Sequence, residues 1–483
     1  MTMPATTLGP AELLATGCRR EAFLAACPGY RATAVLDQLR ATEYSYLDAS
    51  GHVYLDYTGA GLPAHAQLSA AAARLQGGCF GNPHSQSPAS AASTALIEQA
   101  REAVLRHLNA PPGEYSVVFT ANATGACRLV GEAYPFGPYA GLVLTSDNHN
   151  SVNGVREFAR ARGAQTRYVP FGSADLRIGD DAVRDALTAP RVSAAAAGCE
   201  RRGLFAFPAQ SNFTGVQHPQ RWVELAHEQG YDVLLDAAAF LAASRLDLTV
   251  VRPDFVPVSW YKLFGFPTGV GCLVARREAL ARLQRPWFSG GTVAAASVLG
   301  DWHALAGDET RFEDGTPSFL QIPDVEFGLS WLRGIGLDVI HERVMCLTGW
   351  LLRGLVAARH PGGEPLARLH GPAGTSGRGG TVAFSLLDRR GEPVDADGVA
   401  AVAAAAGISI RTGCFCNPGA AEAALRLGPA AVAAARISGA RSAAAYRHAA
   451  GAGGGAIRAS LGLVSTIEDV EALLAVLPSA CPN

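Results

Sequence analysis

Between residues 115 and 275 the chain alternates short apolar runs with stretches of helical periodicity, and no other feature limits its fold as tightly. Tyr115-Ser-Val-Val-Phe-Thr120 is followed by a helical pattern near 125–133. Leu142-Val-Leu-Thr145 is followed by another over 151–162, and Leu204-Phe-Ala-Phe207 by a third over 221–229. Val233-Leu-Leu235, Phe255-Val-Pro-Val258 and the segment 269–275 complete the set. Short apolar strands separated by amphipathic helices build an α/β domain around a mostly parallel sheet. In such sheets ligands sit beyond the strand ends, on the connecting loops. After about residue 320 the pattern changes. Helical stretches at 325–332 and 347–359 precede a strand at 381–386, which reads as a smaller α+β domain. The expected organisation is an N-terminal segment (1–50), helical with polar breaks, that joins the small domain; a large domain (51–319); and the small domain (320–483). The Ala/Gly-rich stretch 429–455 reads as a partly helical surface insertion with a flexible end.

Composition removes several classes of function. The formal net charge is -2 and only 17% of residues are charged, so no basic stripe suits nucleic acid or an anionic membrane. Residues 1–15 lack the basic start and apolar run of a secretory signal, and no uninterrupted apolar stretch reaches membrane-spanning length. Ten cysteines are scattered through the chain, and only Cys414 and Cys416 sit close together. A disulfide scaffold would be shorter and denser in cysteine, so a reducing cytosol is the expected location.

The candidate chemistry falls at the strand ends. Ser259-Trp-Tyr-Lys262-Leu-Phe-Gly-Phe-Pro-Thr-Gly-Val-Gly271 joins two apolar runs. Lys262 is either a surface lysine at a turn or an amine desolvated so that it is neutral and able to form an imine near pH 7. Asp236 ends an apolar strand, where an aspartate is ordinarily a turn or cap residue. His149, in Asp147-Asn-His-Asn-Ser151, follows a strand and would ordinarily be a capping or solvated histidine. Phe119-Thr-Ala-Asn-Ala123-Thr124-Gly125 turns from strand into helix, and backbone N–H groups at a helix start favour a phosphate. Asn212 lies at another strand end. Arg411-Thr-Gly-Cys414-Phe-Cys416-Asn-Pro-Gly419 reads as a loop rather than a helix. Its cysteine pair could be a metal half-site, a disulfide, a buried inert pair or a reactive thiol on a mobile loop with Arg411 favouring the thiolate. No second close Cys/His pair completes a zinc site, so no metal is expected.

The Lys262 stretch resembles the pyridoxal-phosphate lysine motif of class V aminotransferase-fold enzymes of the cysteine desulfurase type. Its longer form is most similar to the N-terminal domain of molybdenum cofactor sulfurases. The resemblance runs from about Tyr54 to Leu474. It implies a type I pyridoxal-phosphate transferase fold (aspartate aminotransferase-like) and the cofactor pyridoxal 5'-phosphate (PLP). It gives Lys262 the cofactor, Asp236 the pyridine nitrogen, and His149 the ring face and a proton-shuttling role. Ala123, Thr124 and Ser259 fall to the phosphate, with Tyr261 beside them where many desulfurases have histidine. Asn122 stands in place of an expected glycine, and Ala239 in place of a glutamine near the ring hydroxyl. Asn212 is implied beside the ring oxygen and the substrate carboxylate, and Arg458 as the clamp on that carboxylate. The turn from Tyr54 to Ala60 resembles the loop lining the substrate side chain. Gly290-Gly-Thr292 resembles a loop that reaches the phosphate of a neighbouring subunit, which implies a homodimer. Cys416 maps to the sulfur-accepting cysteine. Cys414 is the extra cysteine of the sulfurase branch, and that branch's third cysteine is here Ala421.

The implied reaction takes L-cysteine to L-alanine and passes the sulfur, as a persulfide on Cys416, to an acceptor protein or small molecule. Three other readings stand beside it. One is molybdenum cofactor sulfurase chemistry with the acceptor domain on a separate chain. Another is a different class V reaction, such as transamination or C–S cleavage. The last is a non-catalytic scaffold that binds a sulfur carrier, against which Lys262, Asp236 and His149 speak.

Overall fold

The computed structural model describes residues 19–189, 202–439, 445 and 454–481. The expectations for residues 1–18 and for most of 440–453 lie outside them. After β1 (Val53–Tyr54) come β2 (Tyr115–Thr120), β3 (Leu142–Thr145), β4 (Thr166–Val169), β5 (Gly203–Pro208), β6 (Tyr231–Asp236), β7 (Phe255–Ser259) and β8 (Gly271–Arg276). Strands β2 to β8 form a seven-stranded sheet in the order β2-β8-β7-β6-β5-β3-β4. Strands β7, β6, β5, β3 and β4 run parallel, and β8 runs against both β7 and β2. Successive residues feed opposite faces. Phe205, Phe207, Val233 and Leu235 enter one core, whereas Leu204, Ala206 and Leu234 enter another. A strand covered on both sides has no polar face, which is why these strands read as unbroken apolar runs. The edge strand β4, with a partly exposed Thr-Arg-Tyr-Val sequence, carries no such run and escaped notice.

A hairpin follows, β9 (Val293–Ser297) paired antiparallel with β10 (Trp302–Leu305). Val298 and Leu299 at its tip are fully exposed. The remaining strands are β11 (Ala367–His370), β12 (Thr381–Leu386), β13 (Ile408–Ser409), β14 (Arg411–Thr412) and β15 (Ile457–Ser460). An antiparallel four-stranded sheet runs in the order β11-β12-β15-β14. β1 pairs parallel with β13, and Asp56 bridges to Ser460. Residues just past 50 therefore lie against the small sheet.

The long helix Leu337–Ala357 begins well before the expected position 347 and carries the N-terminal segment on its side. Its fully buried Arg343 donates to Thr33 Oγ1, the Thr33 carbonyl and Asp37, with the Tyr30 ring 4.1 Å from the guanidinium. The helix Pro88–His107 went unforeseen because its first half is Ala/Ser-rich, although Ser87 caps it and Pro88 opens it in the usual way.

Candidate active site

A cavity of about 360 Å³ opens at the carboxyl ends of β5, β6 and β7, and its wall includes the helix starts after β2 and β3. That volume lies in the range of small-ligand sites. Eight of the candidates line it: Ala123, Thr124, His149, Asn212, Asp236, Ser259, Tyr261 and Lys262. Lys262 sits in the short helix Trp260–Phe264, which β7 feeds directly. Burial pushes the Lys262 amine below its ordinary pKa, and Arg458 and Arg411 repel the proton further, against the pull of Asp236 and Cys416. The arrangement favours a neutral, nucleophilic amine.

Asp236 closes β6 with Oδ1 accepting from the Ala238 N–H at 3.0 Å. His149 caps the turn Asn150–Asn153, its Nδ1 accepting from the Ser151 N–H at 3.1 Å. A ring nitrogen that accepts leaves the proton of neutral imidazole on Nε2. Burial lowers the His149 pKa, so the neutral form is the resting one. Ser151 Oγ also meets Thr124 Oγ1 at 2.7 Å, joining the β3 turn to the helix Ala123–Ala133. The Ala123 N–H donates to Ser259 Oγ at 3.0 Å. Asn122 replaces the expected glycine for a local reason: its side chain caps that helix on the Gly125 N–H at 2.9 Å. The close approach is made instead by Gly271, where a Cβ would stand 2.6 Å from the Asn122 Cα. Gln210 lines the same wall beside Ala239, and its amide is held by Gln217 and Thr381.

The other candidates stand around the cavity rather than in its wall. Arg458, on β15, is 3% exposed and lies over the Phe415 ring at 4.9 Å. It donates to the Asn212 carbonyl at 3.0 Å and to Asp56 Oδ1 at 2.8 Å, and its buried Nε has no partner. A buried donor without an acceptor is costly, so this nitrogen is poised for a ligand anion. Arg411 does not turn its hydrogen bonds on Cys416. Its Nε and NH2 grip Asp56 Oδ2 at 2.9 and 2.5 Å, and those bonds raise its pKa. One carboxylate thus holds both arginines. Asp56 was overlooked in the sequence because it is a lone acid in a turn read only for its lining residues. Ala60 contributes backbone alone, accepting from the Tyr54 hydroxyl at 3.0 Å. Thr292 does not join the cavity. Its hydroxyl is used within its own turn, donating to the Ser289 carbonyl and accepting from the Ser289 N–H.

The cysteine loop is bonded to its surroundings at several points. Phe415 and Cys416 both take left-handed backbone (φ 52° and 55°), uncommon for such residues and held only by surrounding bonds. The Cys416 carbonyl accepts from the Asn150 N–H at 2.7 Å, and Asn212 Nδ2 donates to the Phe415 carbonyl at 2.7 Å. Asn417 Nδ2 donates to the Asp147 carbonyl and to Asn212 Oδ1 at 2.9 Å. The amide of Asn212 is therefore committed to this loop at both ends. Pro418 starts a helix, Pro418–Ala424, where a continuing loop was expected, with Asn417 as its cap. The two thiols differ in setting: Cys416 is exposed, whereas Cys414 packs against the cluster of Phe213, Phe415 and Ala420. Ala421 lies in the same cluster.

The sequence matches the family model of class-V aminotransferases over residues 53–473. Molybdenum cofactor sulfurase of Solanum lycopersicum is 35% identical over 410 residues, covering 80% of this chain and 50% of that protein. The Bos taurus molybdenum cofactor sulfurase is 35% identical over 464 residues, covering 91% and 51%. The chain spans about half the length of the curated relatives it matches. Among solved structures, the apo cysteine desulfurase of Thermococcus onnurineus NA1 superposes with a TM-score of 0.73 at 22% identity, covering 92% of this chain and 97% of that one. A cysteine desulfurase of Escherichia coli gives 0.69 at 22%, covering 92% and 98%. The fold is thus the type I fold expected from the sequence.

Proposed function

Because the chain belongs to the class-V aminotransferase family, we propose that it is a PLP-dependent cysteine desulfurase, moving sulfur from L-cysteine to Cys416 and then to an acceptor. One observation carries the reading. The loop bearing the exposed Cys416 is bonded to the turn of His149 and to Asn212, both at the cavity that holds Lys262. The residues fit PLP. Lys262 would hold it covalently, Asp236 would face its ring nitrogen and His149 its ring. The helix start at Ala123 and Thr124, with Ser259, would take its phosphate. When bound, the cofactor supplies an electron sink for the pair left at the substrate α-carbon.

The chain's own groups do the rest. Arg458, with its orphaned Nε, binds the substrate carboxylate. Lys262 Nζ, kept neutral by burial, removes the α-proton. The Cys416 thiolate attacks the substrate sulfur, so that a C–S bond breaks and an S–S bond forms. His149 Nε2 carries a proton near the reacting atoms. Reprotonation of the carbon gives L-alanine.

The test is to incubate the purified protein with L-cysteine and a reductant and to measure alanine and sulfide together. Equal amounts are expected, with both lost in Cys416→Ser while the violet absorbance of bound cofactor is kept. Alanine at the wild-type rate from that variant would overturn the role of Cys416. The likeness to molybdenum cofactor sulfurases favours a second reading of the later step, delivery of the sulfur to a molybdenum cofactor carried by a separate acceptor. Transfer of labelled sulfur to such an acceptor tests it. We further place the protein in a reducing cytosol. We read it as a homodimer, with the apolar tip of the β9–β10 hairpin meeting the second copy. We divide it near residues 50 and 320.

A further inference from the structure

A second pair of thiols lies where the N-terminal segment meets the helix Leu337–Ala357. Cys27 precedes the turn Pro28–Thr33, and Cys346 is in mid-helix. Cys27 Sγ lies 3.7 Å from the Cys346 carbonyl, and the two thiols are close enough to hydrogen-bond to each other. They are 8% and 9% exposed. The contact around them is tight. Phe23 packs edge-on to Trp350 at 5.5 Å, and a Cβ on Gly29 would come 1.9 Å from the Glu342 carboxylate. Packing thus fixes the segment around Cys27 against the helix that carries Cys346.

Charges of opposite sign flank the pair. Arg353 NH2 donates to Cys27 Sγ at 3.3 Å, and Cys346 Sγ donates to Glu342 Oε1 at 3.4 Å. Cys27, with a guanidinium rather than a carboxylate against its sulfur, is the thiol of the two that reacts first. Burial pushes the Cys346 thiol up to about 12, which keeps it protonated at rest. Among the described residues no group of three or more His, Cys, Asp or Glu is placed to hold a metal ion, so the pair is not half of such a site. None of these residues takes part in the chemistry at Lys262.

We propose that Cys27 and Cys346 form a redox-modification site, a dithiol that hydrogen peroxide converts reversibly to a disulfide joining the N-terminal segment to the long helix. The Cys27 sulfur attacks peroxide, and the O–O bond breaks to give sulfenic acid, the thiol proton leaving with the second oxygen as water. Cys346 passes its proton to Glu342 and attacks the sulfenic sulfur, forming the S–S bond and releasing the sulfenic oxygen as water. Two thiols are oxidised and one peroxide is reduced. The segment so fixed runs on through Arg40, bonded to Asp469, into β1 and Asp56. The disulfide therefore secures the chain that anchors both site arginines.

The experiment treats the full-length protein with hydrogen peroxide, blocks free thiols by alkylation and maps the peptides by mass. The expected product is one cross-linked Cys27–Cys346 peptide, lighter by two hydrogens than its parts and lost on addition of dithiothreitol. The cross-linked protein should melt about 4 °C or more above the reduced form. Cys27→Ser and Cys346→Ser should each abolish both the peptide and the shift. Recovery of Cys27 and Cys346 as separate alkylated or sulfinic peptides from the wild type, under conditions that oxidise Cys416, would overturn the proposal. That outcome needs no variant to fold.

Discussion

Asp56 shows how much a single side chain can organise. Two arginines that would otherwise repel each other share its carboxylate, and one of them, Arg458, is almost wholly buried. Removing one partner of a buried pair leaves an uncompensated charge, at a cost of about 3 kcal/mol or more. Asp56→Asn keeps the shape and one acceptor but drops the charge. It should raise KM for L-cysteine about tenfold, an effect of about 1.4 kcal/mol, with a smaller change in kcat. Steady-state kinetics decide it, and an unchanged KM would mean that Asp56 does not position Arg458. At this scale the sequence was partly legible. Lys262, Asp236, His149 and Ser259 stand at strand ends, where an alternating α/β pattern puts ligands, and their motifs marked them. Asp56 and Asn417 act through partners more than 200 residues away, and spacing in a sequence carries no sign of such pairing.

The elements explain what holds the Cys416 loop in place. The helix Pro418–Ala424 rests so closely on the β3 turn that a Cβ on Gly419 would stand 2.0 Å from the Ser146 carbonyl. Backbone cannot yield there as a flexible side chain would. Gly419→Ala should lift the helix and with it the docked Cys416, lowering persulfide formation about tenfold or more while the bound-cofactor absorbance remains. Trapping of the persulfide by alkylation and mass measurement checks this. The strands of the central sheet apart from the edge strand β4 were legible to within about two residues, because burial on both faces writes them as apolar runs. The hairpin β9–β10 was not, since Val-Ala-Ala-Ala-Ser and Trp-His-Ala-Leu look like neither a core strand nor an alternating one. For the cysteine loop the Gly and Pro are visible in sequence and the hydrogen bonds that hold it are not.

For the whole molecule, the small sheet links stability to pH through His370, which is 5% exposed on β11 with Ser385 Oγ as its neighbour at 2.8 Å. Burial, aided by Arg368 and Arg426, lowers its pKa to about 4. In the unfolded chain the same group takes a proton near pH 6.5. Between those values the unfolded state holds the extra proton, so stability is full above about pH 6.5 and falls as the pH drops toward 4. The loss is at most about 3 kcal/mol. Melting temperatures measured across that window should decline, and His370→Gln should flatten the decline. The change of pattern after about residue 320 pointed to further strands, and β12 falls where one was expected. The return of β1 to the small sheet was not legible, because two-residue strands leave no periodicity to read. Asn212 ties the turn after β5 to β15 and to the Cys416 loop. Its carbonyl holds the arginine that would grip the substrate, and its amide holds the loop that presents the thiol. Grip and delivery thus share one linkage. An amine that lacks a carboxylate, such as cysteamine, would leave that linkage untouched, so the proposed site would tell substrates apart by their carboxylate as well as by their fit.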